Sequence, residues 1–223
     1  MVLLLPAFAV ASNLVLADAT PASCTPDPTD VRIEIKIADP RVDTTKTGAQ
    51  LQTMHFDGAV SSNRRFTEWT GLTVGGIAVD SEIRIANDTA NGKVCAWPSA
   101  VTITLSTAPT VYVVTDHGDC QKAAGLKHEM EHVAIDRQII QRYAQIFRRR
   151  IASMADAIEL DSTASDKDLK TQRRRIEEKI DAMIAVVSDN LNADRDMEQQ
   201  AFDSPEEYTR MSNACHQVQM GPQ

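Results

Sequence analysis

The chain has 223 residues, 43% hydrophobic and only 4% aromatic, with a net charge of −8 and a pI near 5.1. That length suits one domain, and its core must be built from aliphatic side chains. The negative charge excludes nucleic acid as the main partner, because phosphate binding wants a basic face. The basic runs, Arg148-Arg149-Arg150 and Arg173-Arg174-Arg175, fall in helical patterns among acidic residues and read as solvated helix faces.

Residues 1–19 read as a signal peptide. An apolar run ends near Leu16 and is followed by the small-residue pattern Ala17-Asp18-Ala19. The run is short for a spanning helix and contains Pro6. The expected location is therefore periplasmic or secreted, with no membrane association after cleavage. Four cysteines follow, Cys24, Cys95, Cys120 and Cys215. An even count in an exported chain implies disulfides, in one of three connectivities. Cys95–Cys120 is the preferred pair, since it would staple a sheet to the start of a helix. Residues 20–30, rich in Pro, Thr and Asp, read as a linker, leaving 31–223 as a single domain.

The first half of that domain alternates. "VRIEIKI" (31–37) places Val31, Ile33, Ile35 and Ile37 on one face, as a half-buried strand does. A short helix is expected around 49–54. "FTEWTGLTV", "IAVDSEIRIA", "VCAWPSAVTITLS" and "TVYVV" follow as β segments, with a turn over 87–92. The expectation is a small, mainly antiparallel sheet.

The second half has a different period. From about Asp119, as N-cap, to Ile158, apolar residues recur at Leu126, Met130, Val133, Ile140, Ala144, Phe147, Ile151 and Met154. A polar turn spans 161–168. A second helix then runs from about Leu169 to Phe202 and stops at Ser204-Pro205. Its stripe is Ile176, Ile180, Met183, Val187 and Leu191. A short connector makes the two helices antiparallel neighbours. The expected class is α+β: a small sheet packed on a long helical hairpin, in a compact zincin-like domain.

"LKHEMEHVAID" (126–136) carries the chemistry. Residues four apart on a helix point the same way, so His128 and His132 can face one ion. Neutral imidazoles suit Zn2+, and two leave room for a third protein ligand and a water. Glu129 is rotated about 100° from His128, which keeps it off the metal but within reach of a bound water. In metalloproteases with this spacing the glutamate takes that water's proton and passes it to the leaving amine. Mirroring the helices about residue 164 places His132 opposite 195 and His128 opposite 199. The stripe of the second helix turns acidic there, at Asp194 and Glu198. Glu198 is thus the third ligand that geometry favours, with Asp194 next. Both could instead pair with Arg137. Asp136, eight residues after His128, is a further candidate, more suited to orienting an imidazole. His55, His117 and His216 are isolated and read as surface or satisfied histidines.

Three blocks, "GKVCAWPSAVTITL", "CQKAAGLKHEMEHVAID" and "EQQAFDSPEEY", resemble the bacterial domain of unknown function 922, over about 31–211. Members of that family are exported proteins taken to be zinc-dependent proteases. The resemblance implies that the aromatic-Asp pair Phe202-Asp203 belongs to the site, with Asp203 a metal ligand or a partner of a zinc histidine. The family has a Thr and a His where this chain has Glu206 and Tyr208. Tyr208 is a candidate oxyanion donor. The combined expectation is an exported zinc metalloprotease acting on a peptide or protein substrate. The alternative is a non-catalytic exported metal-binding or adaptor module that uses its helical hairpin as an interaction surface.

Overall fold

The computed structural model describes residues 27–54, 70–90, 93–157 and 166–219. The signal-peptide expectation, Cys24, His55 and the turn around 161–165 lie outside these residues.

Six strands form two three-stranded sheets. β1 (Asp30–Ile37), β5 (Lys93–Thr107) and β4 (Ala78–Ala90) make the first, in the order β1-β5-β4. β2 (Arg41–Asp43), β6 (Thr110–Val113) and β3 (Gly71–Val74) make the second, in the order β2-β6-β3. Each sheet is mixed: β1 and β2 run parallel to their central strands, and β4 and β3 run antiparallel. The sheets are two halves of one creased ribbon. β1 leads into β2, β3 into β4 and β5 into β6, and all three chains break in register at 38–40, 75–77 and 108–109. Pro40 and Pro109 sit in two of these breaks, where a missing N–H ends the ladder. Bonds from Ala38 N to Thr107 O and from Arg41 N to Pro109 O, both 3.0 Å, carry the pairing across the crease. β4 continues through Asn87 to Ala90, where a turn was expected, because Asn87 and Asp88 pair with Ala96 and Cys95.

α1 (Gly48–Gln52) is capped by Thr47, whose side chain accepts from Gln50 N. α2 (Asp119–Asp156) and α3 (Asp166–Phe202) are the two long helices, and α4 (Pro205–Gln219) follows after a two-residue break. The N-cap of α2 is Gly118, in extended conformation, not Asp119; Asp119 lies in the first turn, where its charge favours the helix dipole. Sequence reading took Pro205 only as a stop. It also opens α4, as proline at a first helical position does, with Ser204 Oγ accepting from Glu207 N at 3.2 Å.

The main core lies where the β1-β5-β4 sheet meets α2 and α3. Val101, Ile103 and Leu105 of β5 pack with Ile140, Phe147 and Ile151 of α2 and with Ile176, Ile180 and Leu191 of α3. Burying each such side chain contributes roughly 1.5–3 kcal/mol. A second cluster, Val111, Val113 and Val133 with Leu126 and Met130 against it, fixes the N-terminal half of α2 on the other sheet. Arg148, Arg149 and Arg150 are exposed, as a solvated face requires.

The Cys95–Cys120 pairing is not formed. Cys120, at the start of α2, is bonded to Cys215 of α4, with Cα atoms 5.7 Å apart. Cys95 is also disulfide-bonded, and none of the described cysteines is free. The expected pairing had no candidate helix to hold Cys215, so the sheet was the nearest visible partner for Cys120.

Candidate metal centre

α2 presents His128, Glu129 and His132, and Gly125 lets this part of the helix approach the sheet. A Cβ there would lie 2.8 Å from the Thr70 carbonyl oxygen. Thr73 of β3 donates its hydroxyl to the Glu129 carbonyl at 3.0 Å, which fixes the turn carrying the histidines.

The histidines face the end of α3. His128 Nε2 is 3.1 Å and His132 Nε2 3.0 Å from the same atom, Asp203 Oδ1. The two Nε2 atoms are 3.2 Å apart. Ligand atoms arranged tetrahedrally around zinc, with bonds of about 2.0–2.1 Å, stand about 3.3–3.4 Å from one another. The triangle found here is only a few tenths of an ångström tighter. His128, His132 and Asp203 therefore form a buried group able to hold a metal ion.

The other ring nitrogens are held as well. His128 Nδ1 lies 3.3 Å from Glu207 Oε1 of α4, and His132 Nδ1 is hydrogen-bonded to Gln199 Oε1 of α3. Such partners orient metal-bound imidazoles. A carboxylate only accepts, so His128 Nδ1 donates to Glu207, which leaves Nε2 as the ring nitrogen available to a metal. Lone pairs converging on a carboxylate oxygen repel one another unless a cation or a proton lies among them. Without metal, a proton can serve. Burial alone would lower the His132 pKa, but the Asp203 hydrogen bond and the Glu129 and Asp203 charges raise it on balance. Phe202 stacks on His128 at a centroid distance of 4.9 Å and meets His132 edge-on at 5.1 Å. Tyr208 donates to Asp203 Oδ1 at 3.2 Å, and its ring lies 5.4 Å from that of His128.

Glu129 is 5% exposed and packs beside Gly71 of β3. Burial pushes its carboxyl pKa up, and the Asp203 charge adds to this; the two histidines and a Thr73 hydrogen bond act in the opposite direction. The result is a carboxyl held above its ordinary range, the direction a general base near neutral pH needs.

Glu198 and Asp194 lie elsewhere. Glu198 Oε1 is 2.7 Å from Arg142 Nη1, and Asp194 Oδ2 takes Arg142 at 3.3 Å and the Tyr143 hydroxyl at 2.8 Å. Their partner is thus Arg142, whereas Arg137 faces Asp39 at 3.6 Å. The face toward the histidines is the i+4 row Leu191, Arg195, Gln199, Asp203, and the residue meeting His132 is Gln199 rather than 195. α3 is slid by about one turn relative to the mirrored register. Asp136, 1% exposed, is not part of the His128–His132–Asp203 group; it binds Arg195 and Gln199. His117 sits before α2 with Nδ1 3.8 Å from Asp116, outside this group. Gln199 and Glu207 were missed by sequence reading. The Ser204-Pro205-Glu206-Glu207 start signal would have revealed α4, and with it Glu207.

No family model, no curated protein and no solved structure matches this chain. No helix of the described residues is long and apolar enough to cross a membrane.

Proposed function

We propose that the protein is an exported zinc metallopeptidase, with His128, His132 and Asp203 as metal ligands and Glu129 as general base. One observation carries this reading: a carboxylate oxygen from the end of α3 converges at 3.0–3.2 Å with two imidazole Nε2 atoms on the helix that also bears a buried glutamate. The residues fit zinc in donor type, in spacing and in having both Nδ1 atoms held. When bound, zinc lowers the pKa of a water and polarises a carbonyl. Glu129 is the group that would accept a proton from a water held there and return it to the leaving amine. The Tyr208 hydroxyl donates to Asp203 Oδ1, and to serve developing negative charge it would have to exchange that bond for one to the substrate.

The alternative is a closed, non-catalytic metal-binding module, and burial favours it. His128 is 2% and Glu129 5% exposed, with α4 laid against the centre. The two readings differ in their need for Glu129. Glu129→Gln should fold, keep its zinc and lose peptide hydrolysis by about 10² or more. A variant with full zinc and unchanged hydrolysis would defeat the peptidase reading. A parent that binds one zinc but cleaves nothing in a broad peptide library would favour the module.

A further inference from the structure

Beside the core-facing row of α3 runs a second row that points to solvent. Met183, Val186, Asn190, Ala193 and Met197 follow one another at steps of three, four, three and four. That spacing repeats every seven residues and keeps the five side chains on one stripe of the helix. The core row, Ile176, Ile180, Ile184, Val187 and Leu191, is buried against α2 and the sheet. The second row is not covered. Val186 is 60% and Met197 62% exposed, two of the four large hydrophobic residues that stand exposed among the described residues. Asn190 and Ala193 are exposed as well. In a chain that is 24% charged, none of these five positions carries a charge, while Asp181, Asp189 and Asp196 occupy exposed positions around them. A β-branched residue such as Val186 has a lower helix propensity than Lys or Glu, so neither solvation nor propensity accounts for it there. Met183 and Val186 also border a groove that Tyr143, Ile146 and Arg150 of α2 close, which widens the face.

We infer that this row is the contact between two copies of the chain, with α3 packed antiparallel on the α3 of a second copy about a two-fold axis at the height of Ser188. Two features name that occupant. The first is self-complementarity. About this axis Met183 meets the second copy's Ala193 and Val186 meets its Asn190, and the same pairs recur with the copies exchanged, as a two-fold contact requires. Each Met183 thus lies over a small residue, and the single amide in the row fixes the register, as a lone Asn in an apolar seam does. The second feature is charge. The same register sets Lys179, which is exposed, beside the second copy's Met197 and Asp196. The lysine stem covers the methionine while its ammonium reaches the carboxylate. In the single chain that carboxylate is 59% exposed and 3.8 Å from Arg195 Nη1. Two such ion pairs form, one on each side of the axis. Asp189 of each copy flanks the axis and works against the contact, which the two pairs offset. The inference goes beyond the metal-site reading and does not rest on it.

Sedimentation velocity of the chain over a concentration series reads the contact. The parent should show a reversible equilibrium between monomer and dimer. Val186→Lys, at a position already exposed, should fold as the parent does and weaken dimerisation by about 30-fold or more, the effect of losing a residue central to a contact. Lys179→Glu alone and Asp196→Lys alone should each stay monomeric at concentrations where the parent is dimeric, because each sets like charges together twice. Mixed in equal amounts, these two variants should form a heterodimer, in which both pairs are again opposite in sign. A parent that is monomeric at the highest concentration it tolerates overturns the inference and leaves the row to a helix of another protein. A dimer that Val186→Lys does not weaken overturns it too, as do two charge variants that stay apart on mixing. Should Val186→Lys fail to fold, the charge variants, both at exposed positions, still decide.

Discussion

His128 of α2 and Asp203, in the break after α3, are joined: Nε2 of the one and Oδ1 of the other are 3.1 Å apart across 75 residues of chain. That pairing, and not the acidic stripe midway along α3, defines the centre. It predicts about one zinc per chain by elemental analysis of protein purified without chelator. Asp203→Ala and His128→Ala should lower zinc affinity by far more than Glu198→Ala, whose partner is Arg142. Equal losses for Asp203→Ala and Glu198→Ala would contradict the assignment.

Gly71 bounds the general-base candidate. A Cβ on it would lie 2.8 Å from Glu129 Cγ and 3.0 Å from both Glu129 Oε1 and the Tyr112 carbonyl. Gly71→Ala should fold with a stability loss of about 1–3 kcal/mol, the usual cost of overpacking. It should keep zinc and lose hydrolysis, because the carboxylate must move. Gly76→Ala, with nothing within 4 Å of the added carbon, is the control and should be near neutral. Thermal unfolding and peptide cleavage, measured side by side, check both.

The Cys120–Cys215 bond closes a loop of sequence separation 95. Removing it by Cys120→Ser with Cys215→Ser should cost about 2–5 kcal/mol in denaturant unfolding. Zinc affinity should fall with it, since α4 carries Glu207, the partner of His128 Nδ1. A double variant with parental zinc affinity would show that α4 stays seated by its other contacts.

Alkaline pH tests the α2–α3 interface. The Tyr143 phenol is pushed up from 10.0 to about 12, by burial first and then by its hydrogen bond to Asp194. The folded pKa is the higher one, so this contribution to stability is complete below pH 10 and is lost as pH rises toward 12. Tyrosinate absorbance should show one of the three tyrosines titrating late, and Tyr143→Phe should remove that step. The same variant should flatten the fall in stability over that range. A parent in which all tyrosines titrate together would refute the assignment.

The two long helices were legible because their cores are aliphatic at helical spacing, and the histidine motif because residues four apart share a face. The α+β class followed from the change of period near Asp119. The register between helices was not legible. Mirroring about a turn assumes no axial slide, and one turn of slide moves the residues opposite His132 and His128 from 195 and 199 to Gln199 and Asp203. The crease was hidden for another reason. Pro40, Gly75-Gly76 and Pro109 each read as an ordinary break, and only pairing brings them into line. α4 was lost because Pro205 was read as a stop, although the Ser before it and the Glu pair after it mark a start.

The disulfide and the ligand order together set a sequence of events. A growing chain releases its N-terminal side first, so His128 and His132 emerge well before Asp203, and Cys120 well before Cys215. Two imidazoles on an unsupported helix hold a divalent ion weakly. The acid, the ring partners on α3 and α4, and the covalent latch all come from the last stretch of the fold. On the proposed metal-site reading, tight capture of an ion would thus be postponed until the molecule is whole, and a truncated or half-folded copy would stay empty.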